Sequence, residues 1–111
     1  MKRDLTQLNI VEQYLKGKNI PYERIDREDK PISTEKPYTL IEFEQHQICV
    51  PCFDSNKRQW DVICHRGSYG ADAGLLEIYG KIVPDNAGDT VEGFLTAQDV
   101  ITRIEAIYKE M

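Results

Sequence analysis

The sequence predicts an α+β domain: a two-layer sandwich in which an antiparallel meander of three to four strands is flanked by an N-terminal helix and two C-terminal helices. Three observations support this. Apolar residues recur at helical spacing near both ends of the chain, short alternating segments fill the middle, and only short polar turns join those segments. The 111 residues suit a single domain over 1–111, and 41% hydrophobic with 30% charged residues is ordinary globular composition.

Leu8, Val11 and Leu15 mark a first helix over residues 5–16, with Tyr14 on its flank. Asp4 or Thr6 is placed to cap its start, and Gly17 stands where a left-handed residue is wanted at its end. Tyr22 to Asp26 follows as an extended strand. The polar, proline-containing stretch 28–37 predicts a loop. From Tyr38 to Phe53 the alternation predicts a strand hairpin turning at Gln45-His46-Gln47, with His46 a solvated turn residue. Pro51 cannot donate a ladder bond, which places that end at an edge or a bulge. Gln59 to Cys64 is the next strand, with Trp60, Val62 and Cys64 on one face and Ile63 opposite. Leu75, Leu76, Ile78 and Tyr79 predict a short helix over 71–79 ended by Gly80. Residues 84–89 are a loop, and Val91–Leu95 an extended link. Thr96 and Asp99 form a capping-box pattern, with Leu95 and Val100 at the staple positions. Val100, Ile101, Ile104, Ile107 and Tyr108 make the apolar stripe of the final helix.

Charge and composition exclude several classes. A net charge of −5 opposes direct nucleic-acid binding, which calls for a basic face. No run approaches the ~18 apolar residues of a membrane span. The charged start Met1-Lys2-Arg3-Asp4 is unlike a signal peptide, and three cysteines suit a reducing compartment, so a soluble cytoplasmic protein is expected. The segment from Pro84 onward holds six acids against two bases. Asp85, Asp89 and Glu92 head this acidic surface, which is either plain solvated surface or a patch for a basic partner.

Two clusters carry chemical interest. Cys49-Val50-Pro51-Cys52 with Cys64-His65 has the residue types of a zinc or redox site. Alternation along a strand separates Cys49 from Cys52 and Cys64 from His65, and no helix follows to activate a thiol. Small core cysteines are the expected outcome, with no metal and no cofactor. Arg66-Gly67-Ser68-Tyr69-Gly70 follows a strand, so its backbone N–H groups could face an anion, with Arg66 and Ser68 as added donors. The competing role for Gly67 and Gly70 is a tight structural turn, since the chain lacks the P-loop lysine and the dinucleotide glycine pattern. A phosphatase-like loop would place arginine six residues after Cys64, where Gly70 stands. Cysteine–histidine catalysis needs hydrogen-bond reach that adjacent strand residues lack, and no carboxylate pair stands out as acid and base.

The run Trp60–Gly70, the segment Gly74–Gly80 and Val91–Val100, together with Ile20-Pro21-Tyr22-Glu23-Arg24, resemble small uncharacterised proteins encoded by phages and prophages of Gram-positive bacteria. The resemblance spans about two-thirds of the chain and omits the Cys49/Cys52 pair. It implies an accessory, host-interacting context and transfers no activity. The expected function is therefore non-enzymatic binding of a protein partner, one form being an acidic inhibitor of a host factor. The alternative is a small ligand-binding or enzymatic domain at Arg66–Gly70. A homodimer is compatible with the sequence.

Overall fold

A computed structural model describes residues 3–33, 40–84 and 91–108. Helix α1 (Thr6–Gly17) is followed by strands β1 (Glu23–Arg27), β2 (Lys30–Ser33), β3 (Leu40–Glu42), β4 (Gln45–Val50) and β5 (Trp60–Ile63). A single 3₁₀ turn (Ala71–Ala73) leads to β6 (Leu76–Gly80), then β7 (Val91–Leu95) and helix α2 (Ala97–Tyr108). Strands β4 to β7 form the antiparallel meander, and β1 adds beside β4, giving the order β1-β4-β5-β6-β7. Strands β2 and β3 pair separately.

The α+β class and the antiparallel sheet agree with the sequence reading. The main sheet, however, has five strands where three to four are expected. The difference arises after Gly70. Gly70 and Gly74 take φ of 94° and 73°, which ends the turn after one 3₁₀ step instead of starting a helix. Leu76 and Ile78 are then buried while Glu77 and Tyr79 are not, a period of two over a run too short to be distinguished from a helix by pattern. Val91–Leu95 pairs with it as a full strand. The expected hairpin at Gln45-His46-Gln47 is also corrected. Those residues lie within β4, which pairs with β1 in the same register (Arg27 opposite Gln45) that β2 keeps with β3 (Lys30 opposite Glu42), so β3 runs on into β4 without a turn. Lys30–Ser33 of the expected loop is a strand.

Directly opposed residues of an antiparallel pair point to one side. Ile48, Val62 and Ile78 make one row, and Val50 and Trp60 with Gly80 the next. These rows share one core with Leu8, Val11 and Leu15 of α1 and with Val100 and Ile104 of α2. The helices are tied to each other by Tyr14, which donates to Glu105 Oε2 at 3.4 Å, and by the Ala97 N–H, which donates to Gln7 Oε1 at 2.6 Å.

Local signals explain the helix ends. The Thr6 N–H donates to Asp4 Oδ1 at 3.0 Å. The capping box is complete: the Asp99 N–H donates to Thr96 Oγ1 at 3.1 Å and the Thr96 N–H to Asp99 Oδ2 at 3.0 Å. At the end of α1 the left-handed residue is Asn19, with φ 57°, two positions beyond the expected Gly17. No helix among the described residues is long and apolar enough to cross a membrane.

Candidate functional site

The sheet face away from the helices carries the rows Gln47-Ile63-Glu77 and Cys49-Asp61-Tyr79. At one end the segment after β4 folds back across it. The N–H groups of Lys57 and Arg58 donate to Asp54 O, and the Asn56 N–H donates to Asp54 Oδ1 at 2.9 Å. This tight turn delivers Arg58 over the sheet, 5.1 Å from the Phe53 ring centre and 3.5 Å from Asp61 Oδ2.

From the other side a directional chain of hydrogen bonds converges on the same carboxylate. Arg27 donates to Gln45 Oε1, Gln45 Nε2 donates to Gln47 Oε1 at 2.6 Å, and Gln47 Nε2 donates to Asp61 Oδ2 at 2.5 Å. Asp61 is only 8% exposed. Burial pushes its carboxyl up from the usual aspartate range, outweighing the Gln47 and Arg58 contacts that pull it down. A raised folded-state value stabilises the protein when the group is protonated and costs stability above it. Asp61→Asn keeps an acceptor for Gln47, so it is expected to raise the thermal midpoint at pH 7. The gain should shrink as pH falls towards about 4, where an unfolded aspartate also protonates. Melting curves at pH 7 and pH 4 check this, and a lower midpoint at pH 7 would contradict it.

Large rings stand beside this centre and along the rest of the sheet. Phe43 lies beneath the Arg66 guanidinium, 4.4 Å from ring centre to Cζ. Tyr69 stacks on Phe94 with ring centres 6.2 Å apart, and its N–H donates to Glu77 of the outer row. Phe94 is 65% exposed and held at φ 58°, a conformation that is costly for a bulky residue. Tyr79 and Phe53 are also exposed. Two concavities flank Asp61. One, of about 280 Å³, lies between Arg58 and Tyr79; the other, of about 440 Å³, lies between Phe43, Ile63 and Arg66.

The residues singled out from sequence are distributed as follows. Gly67 and Gly70 have φ of 89° and 94° and shape the turn. Ser68 is used within it: its hydroxyl donates to His65 O at 2.7 Å and accepts from the His65 N–H at 3.0 Å. Arg66 instead lines the larger concavity, so the two side chains serve different partners. Cys49 lies on the outer face and Cys64 in the core on the other side, with Cys52 beyond the end of β4. The thiols are therefore not brought together. Burial raises the Cys49 thiol to about 11, far from a reactive thiolate. Glu92 is held by Arg103, which donates from Nε at 3.0 Å and Nη2 at 2.9 Å. Asp85 and Asp89 lie outside the described residues.

His46, expected in a solvated turn, is 2% exposed and packed among carboxylates. The alternation Asp26-x-Glu28 and Glu44-x-His46 could have suggested this, because both pairs project to one side of adjacent strands. No family model, curated protein or solved structure matches the chain.

Proposed function

We propose that the chain is a non-catalytic binding domain, built as a two-layer sandwich, whose sheet face away from the helices engages a basic surface of a protein partner. The observation that carries this is the buried Asp61 between two concavities lined by the exposed rings of Phe43 and Tyr79, with Phe53 under Arg58 beside them and exposed Phe94 stacked on Tyr69 further along the sheet. Exposed aromatic residues and arginine beside concavities are enriched in protein interfaces. Retaining Phe94 in a costly backbone conformation with its ring outward supports the same reading, since that ring contributes little to the core. The net charge of −5 favours a positively charged partner and gives association a salt dependence. The resemblance to phage and prophage proteins suggests an accessory role in which the partner belongs to a Gram-positive host.

The test is comparative capture from a Gram-positive lysate, identifying the retained protein and titrating it afterwards. Phe94→Ala and Phe43→Ala are expected to weaken binding about tenfold or more each. Ile10→Ala, an exposed apolar position on α1 away from this face, should leave it unchanged. Equal binding by all variants, or a loss confined to Ile10→Ala, would place the interface elsewhere.

A further inference from the structure

We propose that His46, Glu44 and Glu28 form a site for a divalent transition-metal ion of the zinc class, with Asp26 as the outer partner of the histidine. The site follows from strand register. Asp26 stands opposite His46 across the β1–β4 pair, and Glu28 and Glu44, each one residue beyond the end of its strand, approach the same imidazole. Four chemistry-bearing side chains are thereby delivered to one end of the sheet.

The histidine supplies the independent evidence. Its ring is 2% exposed, and Nδ1 lies 2.8 Å from Asp26 Oδ1. That contact favours the proton on Nδ1 and leaves the lone pair on Nε2, the arrangement by which an outer carboxylate orients a metal-binding imidazole. Among the described residues Nε2 is buried and has no hydrogen-bond partner. It nevertheless points at oxygen atoms, 3.3 Å from Glu44 Oε2 and 3.9 Å from Glu28 Oε1. A lone pair facing two carboxylates without a proton between them is repulsive, and a cation resolves it.

The spacings suit one ion. Ligand atoms about 2.1 Å from a common metal stand up to about 4.2 Å apart. The ligand atoms of Glu28, Glu44 and His46 all lie within 4.8 Å of one another. Glu28 is 71% exposed, so its side chain can close the remaining gap and water can complete the coordination. The surrounding charge allows a divalent cation. Arg3 pairs with Glu44, most closely through Oε1, and with Asp72, while Arg24 pairs with Asp26 Oδ2 at 2.9 Å. An imidazole ligand favours zinc-class ions over magnesium or calcium, which prefer all-oxygen sites.

Titration of chelator-treated full-length protein with ZnCl₂ by calorimetry, under reducing conditions, tests the site. One equivalent is expected to bind, with a shift of the His46 imidazole resonances in NMR spectra, and MgCl₂ should not compete. Glu28→Gln and Glu44→Gln should each weaken binding at least tenfold, and Asp26→Asn about 10–100-fold. Glu28 is exposed, so its substitution leaves the fold intact and the test informative even if Glu44→Gln is destabilised. Cys52→Ser should bind as the unaltered protein does. Absence of saturable zinc binding would overturn the proposal. Binding that survives Glu28→Gln, or is lost in Cys52→Ser, would overturn it equally.

Discussion

Trp60→Ala is expected to lower the free energy of unfolding by about 3–5 kcal/mol. A small domain has only about 5–15 kcal/mol in total, so this single change removes a large share of it. Trp60 is 1% exposed and sits in the central strand of the five, opposite Val50 on one side and Gly80 on the other. Truncation leaves a cavity that two strands and a helix layer cannot jointly collapse, which adds to the lost transfer energy. Trp60→Phe should cost much less. The indole Nε1 is buried without a hydrogen-bond partner among the described residues, so phenylalanine removes an unsatisfied donor along with some volume. Urea unfolding followed by circular dichroism checks both. Equal losses for the two variants would show that shape alone decides the position.

Gly80→Ala is expected to be nearly as severe, at about 2–4 kcal/mol. Gly80 has φ 97°, which side-chain-bearing residues adopt only with strain. A Cβ there would also stand 2.6 Å from Gln59 O and 3.0 Å from Trp60 Cα. Neither neighbour can retreat freely: Gln59 O accepts from the Lys81 N–H at 2.9 Å, and the Gln59 N–H is bonded to Val50 O. Gly17→Ala is the contrasting substitution, since no atom lies within 4 Å of the added methyl and its φ is not in the left-handed region. Thermal midpoints of the two variants measured together check the difference. A similar midpoint for both would mean that the β5–β6 contact relaxes without cost.

Legibility differed by element. The segments that were readable carry their signal within one or two turns of chain. Leu8, Val11 and Leu15 repeat at helical spacing, and Thr96 with Asp99 contains a whole cap in four residues. Trp60, Val62 and Cys64 alternate cleanly with Asp61 and Ile63. In residues 71–80 two glycines and a short apolar run fit both periods, and only pairing with β5 and β7 selects the strand. The environment of His46 is equally hidden from local pattern. Polar neighbours in sequence suggest a turn, while its true environment is set by β1 twenty residues earlier.

The candidate sites show the same division. The reactive residue types near Arg66–Gly70 and among the cysteines were visible, but their grouping was not. Alternation sends Cys49 and Cys64 to opposite faces, and Ser68 satisfies its own turn. Asp61 had no sequence signal at all, as an aspartate in a half-buried strand is unremarkable until the facing residues are known.

The amino-acid pattern suffices for the α+β class, the two terminal helices, the capping box of the second helix and the central tryptophan strand. Each of these depends on free energies decided within a few residues, by helical spacing, side-chain-to-backbone capping and apolar alternation. What only the tertiary structure decided is the strand order, the five-strand count, the outer face centred on Asp61 and the Asp26–Glu28–Glu44–His46 cluster. Those depend on register between segments distant in the chain. A shift of one residue would exchange the two faces of the sheet and disperse both groups.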